Sequence, residues 1–177
     1  MDRAACRSWS SGVFDFPKIR MVGTTSAARE DMASVVFKAF HQIRAEGVVR
    51  LFKSERADYP DGGQQRDFIY VKSCVDTIDW LLEHRDVGGL FNLGAGVART
   101  WNDLVRAVFA AMDIPARIEY VELPEALRGR YQYFTQAEMG KLRATGCPVD
   151  FPSLEDSVRD YVREHLQQPR PYLSALG

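Results

Sequence analysis

The stretch Arg66-Asp67-Phe68-Ile69-Tyr70-Val71, followed further along by Phe91-Asn92-Leu93-Gly94-Ala95-Gly96, decides how this chain reads. Bulky β-formers after a charge pair predict a strand at 67–71, with Phe68 and Tyr70 facing one way and Ile69 and Val71 the other. The second run predicts a strand at 90–93 that ends in glycines, where the backbone must turn sharply or approach something closely. Arg66 has two readings. It can pair with Asp67 at the surface, or its planar fork of donors can engage two oxygens of a phosphate or carboxylate together.

Helical and extended patterns alternate outward from these runs. Val35, Val36, Ala39, Phe40 and Ile43 recur at helical spacing, with Asp31 as a candidate cap and Gly47 as the stop. Val48 to Phe52 reads as a strand, and Pro60-Asp61-Gly62-Gly63 as a loop. A helix is expected over roughly 73–84, with Val75, Ile78, Leu81 and Leu82 on one face. Thr100 caps a helix carrying Leu104, Val105, Val108, Phe109 and Met112, and Arg117 to Val121 alternates like a strand. Thr135 to Glu138 and Ser153 to Asp156 have the form of capping boxes, the second opening a last amphipathic helix. The class is therefore α/β, with few strands.

Composition narrows the function. An apolar fraction of 46% over 177 residues supports one domain with a true core. A formal net charge of -1 gives no electrostatic case for nucleic acid or an anionic membrane as partner. No apolar run is long enough to span a bilayer, and the start lacks a signal-type core, so the expected location is the cytoplasm. Cys6, Cys74 and Cys147 are scattered and read as reduced thiols; His41, His84 and His165 read as surface residues, so no metal site is expected.

No catalytic signature stands out. The chain has no G-x-G-x-x-G turn, P-loop, G-x-S-x-G or Tyr-x-x-x-Lys pair. Gly94-Ala95-Gly96 is a lone glycine pair, read as a tight turn. The anion-binding candidates are Arg66 and the cluster Arg128, Arg130 and Tyr131 around Gly129.

From Met32 onward the chain resembles the C-terminal portion of the ADP-L-glycero-D-manno-heptose 6-epimerases, within the extended short-chain dehydrogenase/reductases. Met32-Ala33-Ser34-Val35, the Arg66 and Phe91 runs, Gly129-Arg130-Tyr131-Gln132 and Phe134-Thr135-Gln136-Ala137 carry the resemblance. The Arg66 and Phe91 runs are common to many nucleotide-sugar epimerases and dehydratases. The first and the last two point to the heptose enzymes.

The resemblance implies a partial Rossmann-type sheet joined to a small C-terminal substrate-binding α/β domain. It implies an unrelated or poorly ordered segment at 1–31, a substrate-binding portion at 32–168 and a tail at 169–177. It implies an ADP-sugar substrate held by Phe52, Lys53, Ser54, Glu55, Arg66 and Tyr131, and it leaves open a homo-oligomer. Asp31 and Lys38 stand where the family carries a substrate-touching serine and a histidine, and Arg29 stands at the place of a catalytic lysine. Arginine stays protonated and makes a poor base. In the family, NADP takes a hydride from C6 of the heptose and returns it to the opposite face of a transient ketone. Its glycine turn and catalytic tyrosine belong to the N-terminal half, so the isolated chain is expected to be an inactive, truncated or frameshifted form. A non-catalytic ADP-sugar-binding module, an inert remnant, or another nucleotide-sugar epimerase or dehydratase are the alternatives.

Overall fold

The computed structural model describes residues 34–148 and 150–168. Helix α1 spans Val35–Glu46. It starts where Ser34 Oγ accepts from the Phe37 N–H at 3.2 Å and stops at Gly47, whose φ of 71° few other residues adopt without strain. Ser34 thus takes the capping role expected of Asp31, which lies outside the described residues. Strand β1 (Val49–Phe52) follows at once, and its partner is β4 (Ile118–Val121), parallel, with Val49 opposite Ile118 and Phe52 opposite Val121.

Between them the chain makes a second small sheet. Strand β2 (Gln65–Asp67) pairs antiparallel with β3 (Ala98–Thr100), so that Arg66 lies opposite Arg99. Two like charges face to face oppose pairing. Each is offset by other partners: Arg99 reaches Asp103 at 3.3 Å and Glu155 at 2.6 Å.

The Arg66 run is a strand only as far as Asp67, not through Val71. Phe68, Ile69 and Tyr70 are all buried instead of alternating, and Tyr70 is already the cap of α2 (Val71–Glu83). The alternation rule fails because the chain enters the interior here and leaves the sheet. The run at 90–93 is not a strand either; the strand lies beyond the glycines, at β3. Helix α2 buries its small residues Ser73, Cys74 and Thr77, while Val75, Ile78 and Leu82 are more than half exposed.

Helix α3 (Trp101–Ala111) is the hub. Thr100 and Asp103 form a reciprocal capping box at its start, as the sequence indicates. Its Leu104, Val105, Val108 and Phe109 meet Val36, Phe40 and Ile43 of α1 on one side. On the other they meet Leu154 and Val158 of α5 (Leu154–Asp160) and Tyr161, Val162 and Leu166 of the π-helical turns that continue it. Ser153 caps α5 as expected. Thr135 opens no helix, however: residues 131–139 belong to no helix or strand, and α4 (Gly140–Arg143) begins later. No helix among the described residues is long and apolar enough to cross a membrane.

Candidate functional site

Asp67 has a short carboxylate at the end of a three-residue strand, and its environment supplies only backbone donors. Oδ1 accepts from the Ala95 N–H at 2.7 Å; Oδ2 accepts from Gly96 at 3.0 Å and Ala137 at 2.9 Å. A buried carboxylate needs such donors to offset its desolvation. The glycine at 94 is required by space: a Cβ there would stand 2.6 Å from Ala137 Cβ and crowd the Asp67 carboxylate as well.

The segment 131–137, which belongs to no helix or strand, runs alongside β2; we call it the strap. Gln65 N–H donates to the Tyr133 carbonyl at 2.8 Å, and Thr135 N–H donates to the Gln65 carbonyl at 3.2 Å. The Arg66 guanidinium donates to the Gln65 carbonyl at 2.7 Å and to the Gln132 carbonyl on the strap. Gln136 Nε2 donates to the Gly96 carbonyl at 3.0 Å.

Strap, α1, β1 and β2 enclose an open cavity of about 750 Å³. Arg66 lies on its wall, over the rings of Trp101 (5.8 Å) and Tyr131 (5.7 Å). Tyr131 meets Phe52 edge to face at 6.1 Å and Tyr133 at 5.8 Å. The wall therefore combines aromatic surface with the guanidinium groups of Arg66 and Arg130. Aromatic faces suit a planar base, and arginine suits phosphate oxygens. The cavity lies in the size range of small-ligand sites.

The residues expected at the site divide cleanly. Phe52, Arg66, Tyr131 and Lys38 come together on the cavity wall although they arise from four separate segments. Lys53, Ser54 and Glu55 do not line it. Lys53 pairs with Glu122 at 2.6 Å, Ser54 Oγ donates to the Arg56 carbonyl at 2.9 Å, and Glu55 pairs with Arg128 at 3.0 Å. Their turn is held against the strap instead, since the Glu55 N–H donates to Tyr133 Oη at 2.9 Å. Asp31 and Arg29 lie outside the described residues.

Sequence reasoning missed Asp67, taken only as the partner in a charge pair, and Trp101. The indole N–H of Trp101 is buried on the cavity wall with no hydrogen-bond partner among the described residues. A tryptophan directly after a helix cap was the available signal.

Two groups with displaced titration lie away from the cavity. Burial pushes the Cys74 thiol up to about 11, so it is not a ready nucleophile. Burial, then the bond to Asp160, raises the Tyr70 hydroxyl above its usual range. That hydroxyl donates to Asp160, which Lys72 also meets at 2.6 Å, tying the start of α2 to α5.

The glycine loop does not fit a dinucleotide. A pyrophosphate at such a turn needs exposed backbone N–H groups. Here Ala95 and Gly96 donate to Asp67, and the Gly94 N–H points to Met139 Sδ at 3.3 Å. The described residues carry no other glycine-rich turn of that form.

The model of the NAD dependent epimerase/dehydratase family matches residues 16–94. The match includes residues ahead of Met32, so family pattern begins earlier than the motifs indicated. An ADP-L-glycero-D-manno-heptose-6-epimerase of Nitratidesulfovibrio vulgaris is 54% identical over 162 residues, covering 92% of this chain and 50% of the relative. The chain thus spans about half the length of the curated relatives it matches. Among solved structures, the ADP-L-glycero-D-manno-heptose-6-epimerase of Helicobacter pylori superposes with a TM-score of 0.58 at 22% identity, over 76% of this chain and 38% of that one. A UDP-N-acetylglucosamine 4-epimerase of Methanobrevibacter ruminantium, in complex with UDP-N-acetylmuramic acid, gives 0.62 at 21%, over 79% and 41%. At these identities the two structures speak for the fold alone.

Proposed function

Because the chain belongs to the NAD-dependent epimerase/dehydratase family, we propose that it is the substrate-binding portion of an ADP-glyceromanno-heptose 6-epimerase. That enzyme would interconvert the D-glycero and L-glycero forms of ADP-manno-heptose. The observation that carries the reading is the 54% identity to a curated heptose epimerase across nearly the whole chain. The cavity supports it, because a strap-held guanidinium beside aromatic rings suits a nucleoside diphosphate.

In this reading residues 32–168 carry the substrate side. Arg66 and Arg130 take the diphosphate, and Phe52 and Tyr131 offer ring faces and a hydroxyl. Lys38 reaches the cavity from α1. Lys53, Ser54 and Glu55 act only through their turn against Tyr133. The nicotinamide cofactor, NADP by resemblance, is assigned to the length of the relatives that this chain does not match, and no chemical step is derived for it. The purified chain given NADP and ADP-heptose is therefore expected to bind without turning over. Reduced thiols at Cys74 and Cys147 suit the cytoplasm, where we place it.

Calorimetry against a panel of nucleotide sugars tests the proposal. Saturable binding of ADP-heptose, with UDP-sugars at least about tenfold weaker, is the expected result. Preference for a UDP-sugar would favour the second reading, another epimerase or dehydratase, which the fold shared with the UDP-sugar enzyme permits.

A further inference from the structure

We propose that Asp67 is a positioning residue for the ligand cavity: its carboxylate is an internal anion that fixes the strap, and with it Tyr131 and Arg66, in binding geometry. The assignment of a ligand rests on the function proposed above; the mechanical role does not.

The argument starts from where the hydrogen bonds go. Asp67 is 8% exposed, and both its oxygens are directed at backbone N–H groups of two other segments, the glycine loop and the end of the strap. Backbone amides converging on one anion form a concave nest of the kind that binds phosphate. This nest is filled by the protein's own carboxylate. The neighbouring residue holds the strap's other end, since Arg66 donates to the Gln132 carbonyl. Two consecutive residues of β2 therefore clamp the strap at Gln132 and at Ala137, with Thr135 and Gln136 of the cavity wall between the clamps and Tyr131 next to the first of them. Moving the Asp67 end changes the strap's path past Gln65 and tilts Tyr131 away from the Arg66 guanidinium that it now meets at 5.7 Å. A misplacement of about 1 Å in a positioned group can weaken what it holds steeply.

Asp67→Asn tests this with little change of volume. The amide can accept at one of the two oxygen positions but presents N–H groups at the other, facing backbone donors. Hydrogen exchange followed residue by residue should show protection at Ala95, Gly96, Thr135 and Ala137 falling about tenfold or more. Protection at Leu104, Val105 and Val108 in α3 should stay within about threefold of the parent. Affinity for ADP-heptose should fall about tenfold or more while the protein stays folded. Unchanged protection of the strap amides overturns the proposal. So does full affinity with a loosened strap.

If Asp67→Asn loses protection in α3 as well, Gly94→Ala is the second variant, since it crowds the same carboxylate without removing charge. It should reproduce the local loss; an undisturbed strap in that variant also overturns the proposal. Should the parent chain bind no ADP-heptose, the proposed function fails, and the exchange measurement still decides the role of Asp67.

Discussion

Asp67 and Ala137 lie 70 residues apart in sequence and are joined through a 2.9 Å hydrogen bond from a backbone N–H to a carboxylate. That bond closes the wall of the cavity and makes a three-residue strand an organising element. Asp67→Ala removes three charge-assisted bonds at once and leaves their donors in a half-buried place. We expect a loss of about 3 kcal/mol in stability by chemical denaturation. A loss below about 1 kcal/mol would mean that water replaces the carboxylate without penalty.

Arg66→Lys should be nearly as damaging to ligand binding as Arg66→Ala. Lysine offers a point charge on a flexible stem; it cannot bridge the Gln65 and Gln132 carbonyls while lying over Trp101 and Tyr131. Both variants should lower affinity for ADP-heptose by about tenfold or more in calorimetry. Near-full affinity in Arg66→Lys would reduce the role of Arg66 to simple charge.

Val75, Ile78 and Leu82 form an exposed apolar face on α2. Replacing Ile78 with Glu and Leu82 with Lys should raise solubility and leave stability within about 0.5 kcal/mol, as for surface positions generally. A loss of about 2 kcal/mol or more in thermal or chemical unfolding would show that this face is covered in solution.

Stability should fall in acid partly through Arg99. Its hydrogen bond holds the Glu155 carboxyl below its usual range. Burial pushes Asp103 up, but bonds from Thr100 and Arg99 more than offset this and leave it low. A carboxyl depressed in the folded state contributes stability above its unfolded pKa, and that contribution is lost as pH falls through the folded value. Arg99→Gln should therefore flatten the stability profile below about pH 4.5, measured by urea midpoints at stepped pH. A profile parallel to the parent's would contradict this linkage.

Helices α1, α3 and α5 were legible because their signals are local, whereas the Thr135 box opens no helix and α2 buries its small residues instead of its large apolar ones. Ser153 and Thr100 cap as their sequence context demands, Gly47 stops α1, and the apolar spacing of α3 is its buried face. The strands at 67–71 and 90–93 were misread for a physical reason. Alternation describes a strand with one wet face, whereas Phe68 to Tyr70 enter the core together and the glycine run is bent around a distant carboxylate. Arg66 and Tyr131 could be proposed from residue chemistry and motif. The role of Asp67 could not, because its partners are backbone amides, which every sequence position supplies alike.

An NMR titration of the purified chain with ADP-heptose tests the central claim most directly. Saturable shifts at Lys38, Phe52, Arg66, Arg130, Tyr131, Gln132 and the Trp101 indole N–H, with Val158 and Leu166 unmoved, are the expected result. Absence of shifts at millimolar ligand, or saturable shifts that leave the strap untouched, would contradict the assignment of this cavity to a nucleotide sugar.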